Sequence, residues 1–226
     1  MIKIGHRGAR GYEPENTLSS FKKAIELNVD FVELDVFICK TGEVVVIHDN
    51  TLDRTTNGKG YVFDKTYNEL QSLDAGGGQK IPKLEEVMDL IDRKVKINIE
   101  LKGEGSYKPV FNIIEEYVHG KGWAYDDFLI SSFNHYELKD FIKLGSDVKI
   151  GAIIAGIPLG YAKFAGALNA YSVHLSKEFI NKKIIEDAHK REMKVFVYTI
   201  NEQIEIERMK SLNVDGMFSD FPDRLI

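Results

Sequence analysis

The sequence predicts an α/β protein built as a closed (β/α)8 barrel with a small inserted subdomain. At 226 residues and 43% hydrophobic content, the chain is long enough for one large domain. After Pro82 helical patterns alternate with short apolar strands, and the chain holds eight β units in all. A doubly wound open sheet would show the same alternation, but no glycine-rich dinucleotide turn follows the first strand. The barrel is therefore favoured.

The elements follow in order along the chain. An apolar strand at residues 2–5 breaks at His6, and Asn16 with the residues after it predicts an N-cap and a helix that ends near Asn28. The second strand starts at Phe31, turns at residues 41–42 and returns over residues 44–49 as a hairpin. The later strands are expected near residues 96–101, 128–131, 149–154, 171–175, 194–200 and 216–219.

Residues 50–80 interrupt this alternation. They are rich in Thr, Asn, Gly and Asp, and they show no sustained period of either kind. We expect residues 1–226 to form one domain, with this segment as a small mobile cap inserted over the mouth of the barrel.

Composition excludes several classes of function and location. A net charge of -5 without a Lys/Arg run argues against nucleic-acid binding, while a small anionic substrate stays compatible. Cys39 is the only cysteine, which excludes an intrachain disulfide and a cysteine-ligated metal site and fits an intracellular setting. The first residues lack the apolar core of a signal peptide, and Pro158 and Lys163 interrupt the most apolar window. We expect a cytoplasmic protein without stable membrane insertion.

Two carboxylates stand where the second strand would ordinarily bury apolar side chains. Glu33 and Asp35 share one face of that strand, so they need either solvent or a cation in front of them. An edge strand with a polar face is one interpretation, and a metal site is the other. Glu100, at the end of a later strand, adds a third carboxylate. Such an oxygen cage suits Mg²⁺ or Ca²⁺.

Other polar residues also stand at strand ends, where a barrel carries its active site. His6 and His48 each follow a strand, and their imidazoles could act as general base and general acid. Arg7 and Lys102 could bind a phosphate, or they could merely neutralise the acids in a salt-bridge cluster. The remaining strand-end residues are Ser132, His174, Thr199 and Asp220. We interpret His119, His135 and His189 as packed or solvated residues and leave His174 undecided.

The chain carries a series of short motifs, which are His6-Arg7-Gly8, Glu15-Asn16-Thr17, Glu33-Leu34-Asp35, His48-Asp49, Asp53-Arg54-Thr55-Thr56-Asn57-Gly58, Glu100-Leu101-Lys102, Ser132-Phe133 and Phe218-Ser219-Asp220-Phe221-Pro222. In order and spacing these motifs resemble those of the glycerophosphodiester phosphodiesterases. Each motif is short, but together they run through nearly the whole chain. The resemblance implies a TIM barrel with a small inserted subdomain after the His48 strand.

The resemblance also implies an activity. One divalent cation would lie on Glu33, Asp35 and Glu100, and His6 and His48 would be the acid/base pair. The reaction would hydrolyse a glycerophosphodiester to glycerol 3-phosphate and an alcohol, with the substrate's neighbouring hydroxyl attacking phosphorus to give a cyclic phosphate. The chain departs from the pattern at Tyr198, where relatives often have Trp, and this change bears on the fit of the glycerol or leaving group.

Two alternatives remain open at this point. A phosphodiesterase on the same barrel could act on intact phospholipids or lysophospholipids, for which it would need a lipid-facing surface. Ile157, Leu159, Tyr161 and Phe164 could provide one, although an ordinary barrel helix explains this window better. A non-catalytic protein could instead sense glycerophosphodiesters. The intact histidine pair and acid trio argue against that second alternative.

Overall fold

The computed structural model describes residues 1–225, and their strands form a closed parallel barrel with one additional antiparallel strand. The strands are β1 (Ile2–Gly5), β2 (Phe31–Ile38), β3 (Val44–Val46), β4 (Lys96–Leu101), β5 (Phe128–Ser132), β6 (Lys149–Ile154), β7 (Ser172–Ser176), β8 (Lys194–Tyr198) and β9 (Gly216–Ser219). The barrel runs β1-β2-β4-β5-β6-β7-β8-β9 and closes because β9 pairs with β1. The predicted fold is confirmed.

Helices follow the strands and cover the outside of the barrel. They are α1 (Leu18–Glu26), α2 (Tyr67–Ser72), α3 (Leu84–Ile91), α4 (Tyr107–Gly120), α5 (His135–Ile142), α6 (Lys163–Gly166), α7 (Lys182–Lys190) and α8 (Gln203–Ser211), with short 3-10 turns at Val62–Asp64, Tyr125–Asp127, Lys177–Phe179 and Pro222–Arg224. The N-cap of α1 is Thr17, whose hydroxyl accepts the Ser20 N–H, and not the predicted Asn16, whose side chain bonds Asp35 instead. The helix buries Phe21 and Ala24. None of the helices within residues 1–225 combines the length and the apolar character that crossing a bilayer requires.

The hairpin after β2 is shorter than predicted but keeps His48 beside the barrel. β3 pairs antiparallel with the end of β2, from Val36 opposite Val46 to Ile38 opposite Val44. The regular ladder ends at Val46 instead of residue 49, yet the Ile47 N–H still donates to the Asp35 carbonyl at 2.9 Å. This bond holds the residue before His48 against β2.

Residues 50–80 pack on the hairpin around a second apolar core. Its members are Cys39, Val45, Ile47, Leu52, Val62, Leu70, Ala75 and Ile81. The segment has no long-range period, but it does contain α2, because Thr66 and Glu69 form a reciprocal capping box at the start of that helix. A helix of six residues is too short to show a helical period in the sequence, so the pattern did not predict it.

The barrel interior changes from apolar to polar along the strands. Its lower layer is apolar and consists of Ile4, Phe31, Leu129, Phe196 and Phe218. Two residues above Phe31 on the same face comes Glu33, and then Asp35. The β2–β4 register places Glu33 opposite Asn98 and Asp35 opposite Glu100. Strand register alone therefore gathers the three acids at the carboxyl end of the barrel.

Candidate active site

A cavity of about 240 Å³ opens at the carboxyl ends of the strands. Its lining is His6, Arg7, Arg10, Glu33, His48, Asn98, Glu100, Lys102, Phe133, Ile153, His174, Tyr198, Thr199 and Phe218. Every residue proposed from the sequence for the site lines this cavity except Asp35. That acid is 1% exposed and in contact with two lining residues, Arg7 and Lys102. None of residues 50–80 belongs to the lining.

The three carboxylates form one cluster. Glu33, Asp35 and Glu100 are 2%, 1% and 8% exposed, and one oxygen from each lies within 4.8 Å of the others. The Glu33 Oε2 accepts the Arg7 N–H at 2.7 Å, and the Asp35 Oδ2 accepts the Asn16 side-chain N–H at 2.9 Å. Asp35 Oδ1 is buried without a hydrogen-bond donor, and the nearest cation to it, Lys102 Nζ, is 3.5 Å away. A buried carboxylate oxygen without a donor fits a bound cation.

The electrostatics of the cluster also fit a cation. Burial and the neighbouring acids raise the pKa of Glu33 well above its ordinary value, and burial and Asp35 raise the pKa of Glu100 to about 7. Lys102 Nζ lies 2.8 Å from Glu100 Oε1, and Arg7 Nε lies 3.5 Å from Asp35 Oδ2. The salt-bridge cluster considered as an alternative is thus present, but two cations leave one of three negative charges uncompensated. An all-oxygen donor set of this charge suits a divalent ion.

His6 follows β1 and is held from behind by an aspartate. Its Nδ1 lies 2.7 Å from Asp220 Oδ1, and Asp220 also accepts hydrogen bonds from Arg10 Nε at 2.6 Å and Asn201 Nδ2 at 2.8 Å. Because an ionised Asp220 can only accept a hydrogen bond, the proton of the neutral imidazole lies on Nδ1. Nε2 is then the unprotonated nitrogen of a ring that lines the cavity. Burial lowers the pKa of His6, although the bond to Asp220 opposes this shift. The resting imidazole is therefore favoured as the neutral form.

His48 has the same arrangement on the other side of the acids. Its Nδ1 lies 2.6 Å from Asp49 Oδ1, and Lys102 Nζ donates to its Nε2 at 3.1 Å. Asp49 accepts two further bonds from Arg54, at 2.6 and 3.0 Å. Burial lowers the pKa of His48 as well, despite the nearby charge of Asp35. Each histidine is thus backed by an aspartate that an arginine holds.

The turn after β1 needs the glycine of the first motif. Gly8 has φ +82°, and a Cβ there would lie 2.4 Å from the Ser20 Oγ. The Gly8 N–H donates to the Glu33 carbonyl, and the Ser20 hydroxyl donates to the Arg7 carbonyl. The tight turn therefore brings Arg7 against the acidic cluster.

The opposite side of the cavity is apolar. Phe133 and Tyr198 meet edge to face with 6.0 Å between ring centroids, and Tyr198 also contacts Phe218. The Tyr198 hydroxyl donates to the Ile154 carbonyl at 3.1 Å. Since that bond uses the hydroxyl proton, the ring is the part of Tyr198 that can contact a ligand.

The remaining polar strand ends have structural contacts. His174 is buried, its Nε2 lies 2.9 Å from the Ser172 Oγ, and burial lowers its pKa to about 3. Ser132 donates to the Leu101 carbonyl at 2.7 Å and does not line the cavity. His119, His135 and His189 respectively contact Glu115, the Ile153 carbonyl and Asp215, and none of the three lines the cavity.

The sequence predicted no role in the site for several residues that contact it. Glu15, Arg10 and Arg54 form ion pairs around the two histidine–aspartate pairs, Asn16 bonds Asp35, and Asn98 and Phe133 line the cavity. Asn98 could have been found, because it shares the Glu100 face of β4. The arginines lie on loops, where no periodicity indicates direction.

Comparison with known proteins agrees with this geometry. The model of the glycerophosphoryl diester phosphodiesterase family matches residues 6–224. The chain belongs to this family. It is therefore an enzyme of the phosphodiesterase class, as the motifs predicted.

Individual members of the family support the assignment. A glycerophosphodiester phosphodiesterase of Caldanaerobacter subterraneus is 39% identical over 100% of this chain and 96% of its own length. Among solved structures, an Oleispira antarctica phosphodiesterase in complex with the product sn-glycerol-3-phosphate has a TM-score of 0.91 and 30% identity, with 100% of this chain and 95% of that chain covered. A related structure from Galdieria sulphuraria has a TM-score of 0.89, 30% identity and coverage of 100% and 96%.

The buried His174 predicts a dependence of stability on pH. Unfolded histidine takes up a proton below about pH 6.5, whereas the folded His174 stays neutral down to about pH 3. The unfolded state therefore binds more protons, and the folded state loses stability as the pH falls below about 6.5, by roughly 2 kcal/mol at pH 5 from this group. Denaturant unfolding at pH 7 and pH 5 should show a smaller loss for His174→Gln than for the wild type.

A direct measurement does not depend on the variant folding. The His174 imidazole of the wild type should show no NMR titration between pH 8 and pH 5. A His174 signal that titrates in this range would contradict the prediction.

Proposed function

We propose that the protein hydrolyses glycerophosphodiesters to glycerol 3-phosphate and an alcohol, in a metal-dependent reaction with His6 and His48 as the acid/base pair. The observation that carries the proposal is that two aspartate-backed imidazoles line one cavity together with Glu33 and Glu100, two members of the three-carboxylate cluster. The names of the relatives, and the product bound in the Oleispira antarctica enzyme, support the substrate class.

The acidic cluster would hold one divalent cation, Mg²⁺ or Ca²⁺, through Glu33, Asp35 and Glu100. When bound, the cation would offset negative charge that develops on the phosphoryl oxygens. Arg7 and Lys102 already contact the acids and line the cavity, so a phosphate beside the cluster would meet both. With a divalent ion the five charged side chains carry one net positive charge, which matches the single negative charge of a phosphodiester.

The histidines would move the protons. One neutral imidazole accepts the proton of the substrate hydroxyl next to the phosphate as that oxygen bonds to phosphorus. The other, protonated, donates its proton to the alcohol oxygen as the P–O bond to the leaving group breaks. A cyclic phosphate results, and water opens it with the two roles exchanged. Burial favours the neutral form of both histidines at rest. The negative charge of the bound substrate would therefore stabilise the protonated form of the histidine that acts as the acid.

The apolar half of the cavity would receive the uncharged part of the substrate. The Tyr198 ring, edge-on to Phe133, offers a flat surface for the glycerol or leaving group. We further propose that residues 1–226 act as one domain in which residues 50–80 are an insertion. The cytoplasmic location and the lack of nucleic-acid binding stay predictions.

Hydrolysis of lysophospholipids is a second candidate, favoured by one surface. Large apolar side chains are exposed just after β5, β6 and β7, on the same end of the barrel as the cavity. They are Phe133, Tyr136, Ile157, Leu159 and Phe179. Because Phe133 also lines the cavity, an acyl chain could lie along this rim while its phosphodiester occupies the site.

A pair of substrates with one head group tests the two candidates. We expect glycerophosphocholine to turn over faster than lysophosphatidylcholine, because the cavity of about 240 Å³ fits a small polar diester better than an acyl chain. The control is Leu159→Asp, which changes the rim without touching the cavity. Faster lysolipid turnover that this variant selectively lowers would favour the second candidate. No turnover of either by folded, metal-loaded protein would favour a non-catalytic binding protein.

Metal removal tests the acidic cluster. Exhaustive chelation should abolish turnover, and readdition of Mg²⁺ or Ca²⁺ should restore it. Glu100→Gln removes one charge at nearly constant volume, so titration calorimetry should show weaker metal binding while circular dichroism stays unchanged. Glu104→Gln, an exposed acid on the following loop, is the matched control and should bind metal normally. Full activity after chelation would contradict metal dependence.

Histidine variants test the acid/base assignment. His6→Ala and His48→Ala should each lower kcat by about 10²–10⁴-fold, the usual contribution of one general acid or base. A diester with a p-nitrophenol leaving group needs no acid, so it should rescue one variant and identify the acid. His119→Ala, at an exposed position, is the control. Near wild-type rates for both variants would make the pair structural.

A further inference from the structure

One carboxylate, Glu15, lies among three arginines, between the His6–Asp220 pair and the His48–Asp49 pair. Its Oε1 accepts from Arg7 Nη1 at 2.7 Å and from Arg54 Nη2 at 2.7 Å, and its Oε2 accepts from Arg54 Nη1 at 2.9 Å. Arg10 Nη1 lies 3.7 Å from the same Oε2. The side chain is 14% exposed, so the ion pairs are only partly screened by solvent.

Two of these arginines connect Glu15 to the histidines. Arg10 donates to Asp220, which holds His6, and Arg54 donates to Asp49, which holds His48. Arg54 forms two hydrogen bonds to each of its carboxylates, a geometry that a planar guanidinium can satisfy and an ammonium cannot. Glu15 is thus the common end of two chains of charged hydrogen bonds and ion pairs.

The charge of Glu15 is needed to keep the three arginines together. Burial alone would raise the pKa of Glu15, but the bonds from Arg54 and the charge of Arg7 lower it to about 2. The group is therefore ionised at any working pH. Without it, three guanidinium groups would repel one another, and Arg10 and Arg54 would lose the contact that sets their orientation toward the aspartates.

We propose that Glu15 is a positioning residue that, through Arg10–Asp220 and Arg54–Asp49, holds both His6 and His48 with the proton on Nδ1. Only the kinetic test of this inference rests on the proposed function. Free histidine favours the other neutral tautomer, and an oriented carboxylate at Nδ1 favours the one that leaves Nε2 without a proton. At His48 the Lys102 ammonium, which donates to Nε2 at 3.1 Å, favours the same tautomer. Glu15 itself does not line the cavity, and within residues 1–225 its side chain pairs with the three arginines and not with the acids of the cluster.

Kinetics of a matched pair of variants provides the first test. Glu15→Gln should lower kcat by about 10–100-fold, the usual cost of losing an orienting partner. The KM for glycerophosphocholine should change less than kcat, and the fold should persist by circular dichroism. Glu13→Gln makes the same chemical change two residues away, where the side chain has no hydrogen bond or ion pair to residues 1–225, and should be neutral.

Two further variants separate the two chains. Arg54→Lys keeps the charge but cannot bond Glu15 and Asp49 together, so ¹⁵N NMR should show a mixture of tautomers at His48 and an unchanged His6. Arg10→Lys should show the reverse, and Glu15→Gln should affect both. Unchanged tautomers in folded Glu15→Gln, together with a wild-type kcat, would overturn the proposal.

The tautomer measurement also separates this inference from the proposed function. If the wild type has Nδ1–H at both histidines and the variants lose it, Glu15 has the positioning role even if the protein hydrolyses no glycerophosphodiester. If the wild type is active but both histidines carry the proton on Nε2, the positioning role is wrong and the activity stands.

Discussion

The repulsion among three buried carboxylates is the constraint on which the rest of the candidate active site depends. Glu33, Asp35 and Glu100 lie within a few ångströms of one another where water cannot screen them. Arg7 and Lys102 reduce the repulsion but do not cancel it. The neighbouring residues therefore follow a pattern of alternating charge, in which each cation next to the acids is itself held by a second anion or by an imidazole.

The barrel is what makes so unfavourable a cluster stable. Its apolar lower layer and the helices around it bury most of the large hydrophobic side chains, and this burial is the dominant favourable term in folding. Folding can then tolerate a polar upper layer that costs stability. The same division explains why His174, which lies between the two layers against Phe196 and Phe218, stays neutral.

The site residues that lie on strands could be predicted from the sequence, and those that lie on loops could not. Alternation along a strand places Glu33 and Asp35 on one face, and parallel strands end at one edge, so Glu100 must approach them. His48 follows from the hairpin. The roles of Glu15 and Arg54 depend instead on how two loops fold against each other, and no short-range pattern in either loop encodes that contact. The motifs that carry the family resemblance do include both residues, but they give no partner for either.

The segment of residues 50–80 has a core of its own and approaches the charged residues of the site chiefly through Arg54. Such an arrangement is modular. The segment could be altered in length and composition wherever its apolar residues still covered the hairpin, provided that one guanidinium stayed in place. Transplanting a different segment onto this barrel would then be a problem of anchoring a single side chain, and selection acting on the surface of the segment need not disturb the chemistry beside it.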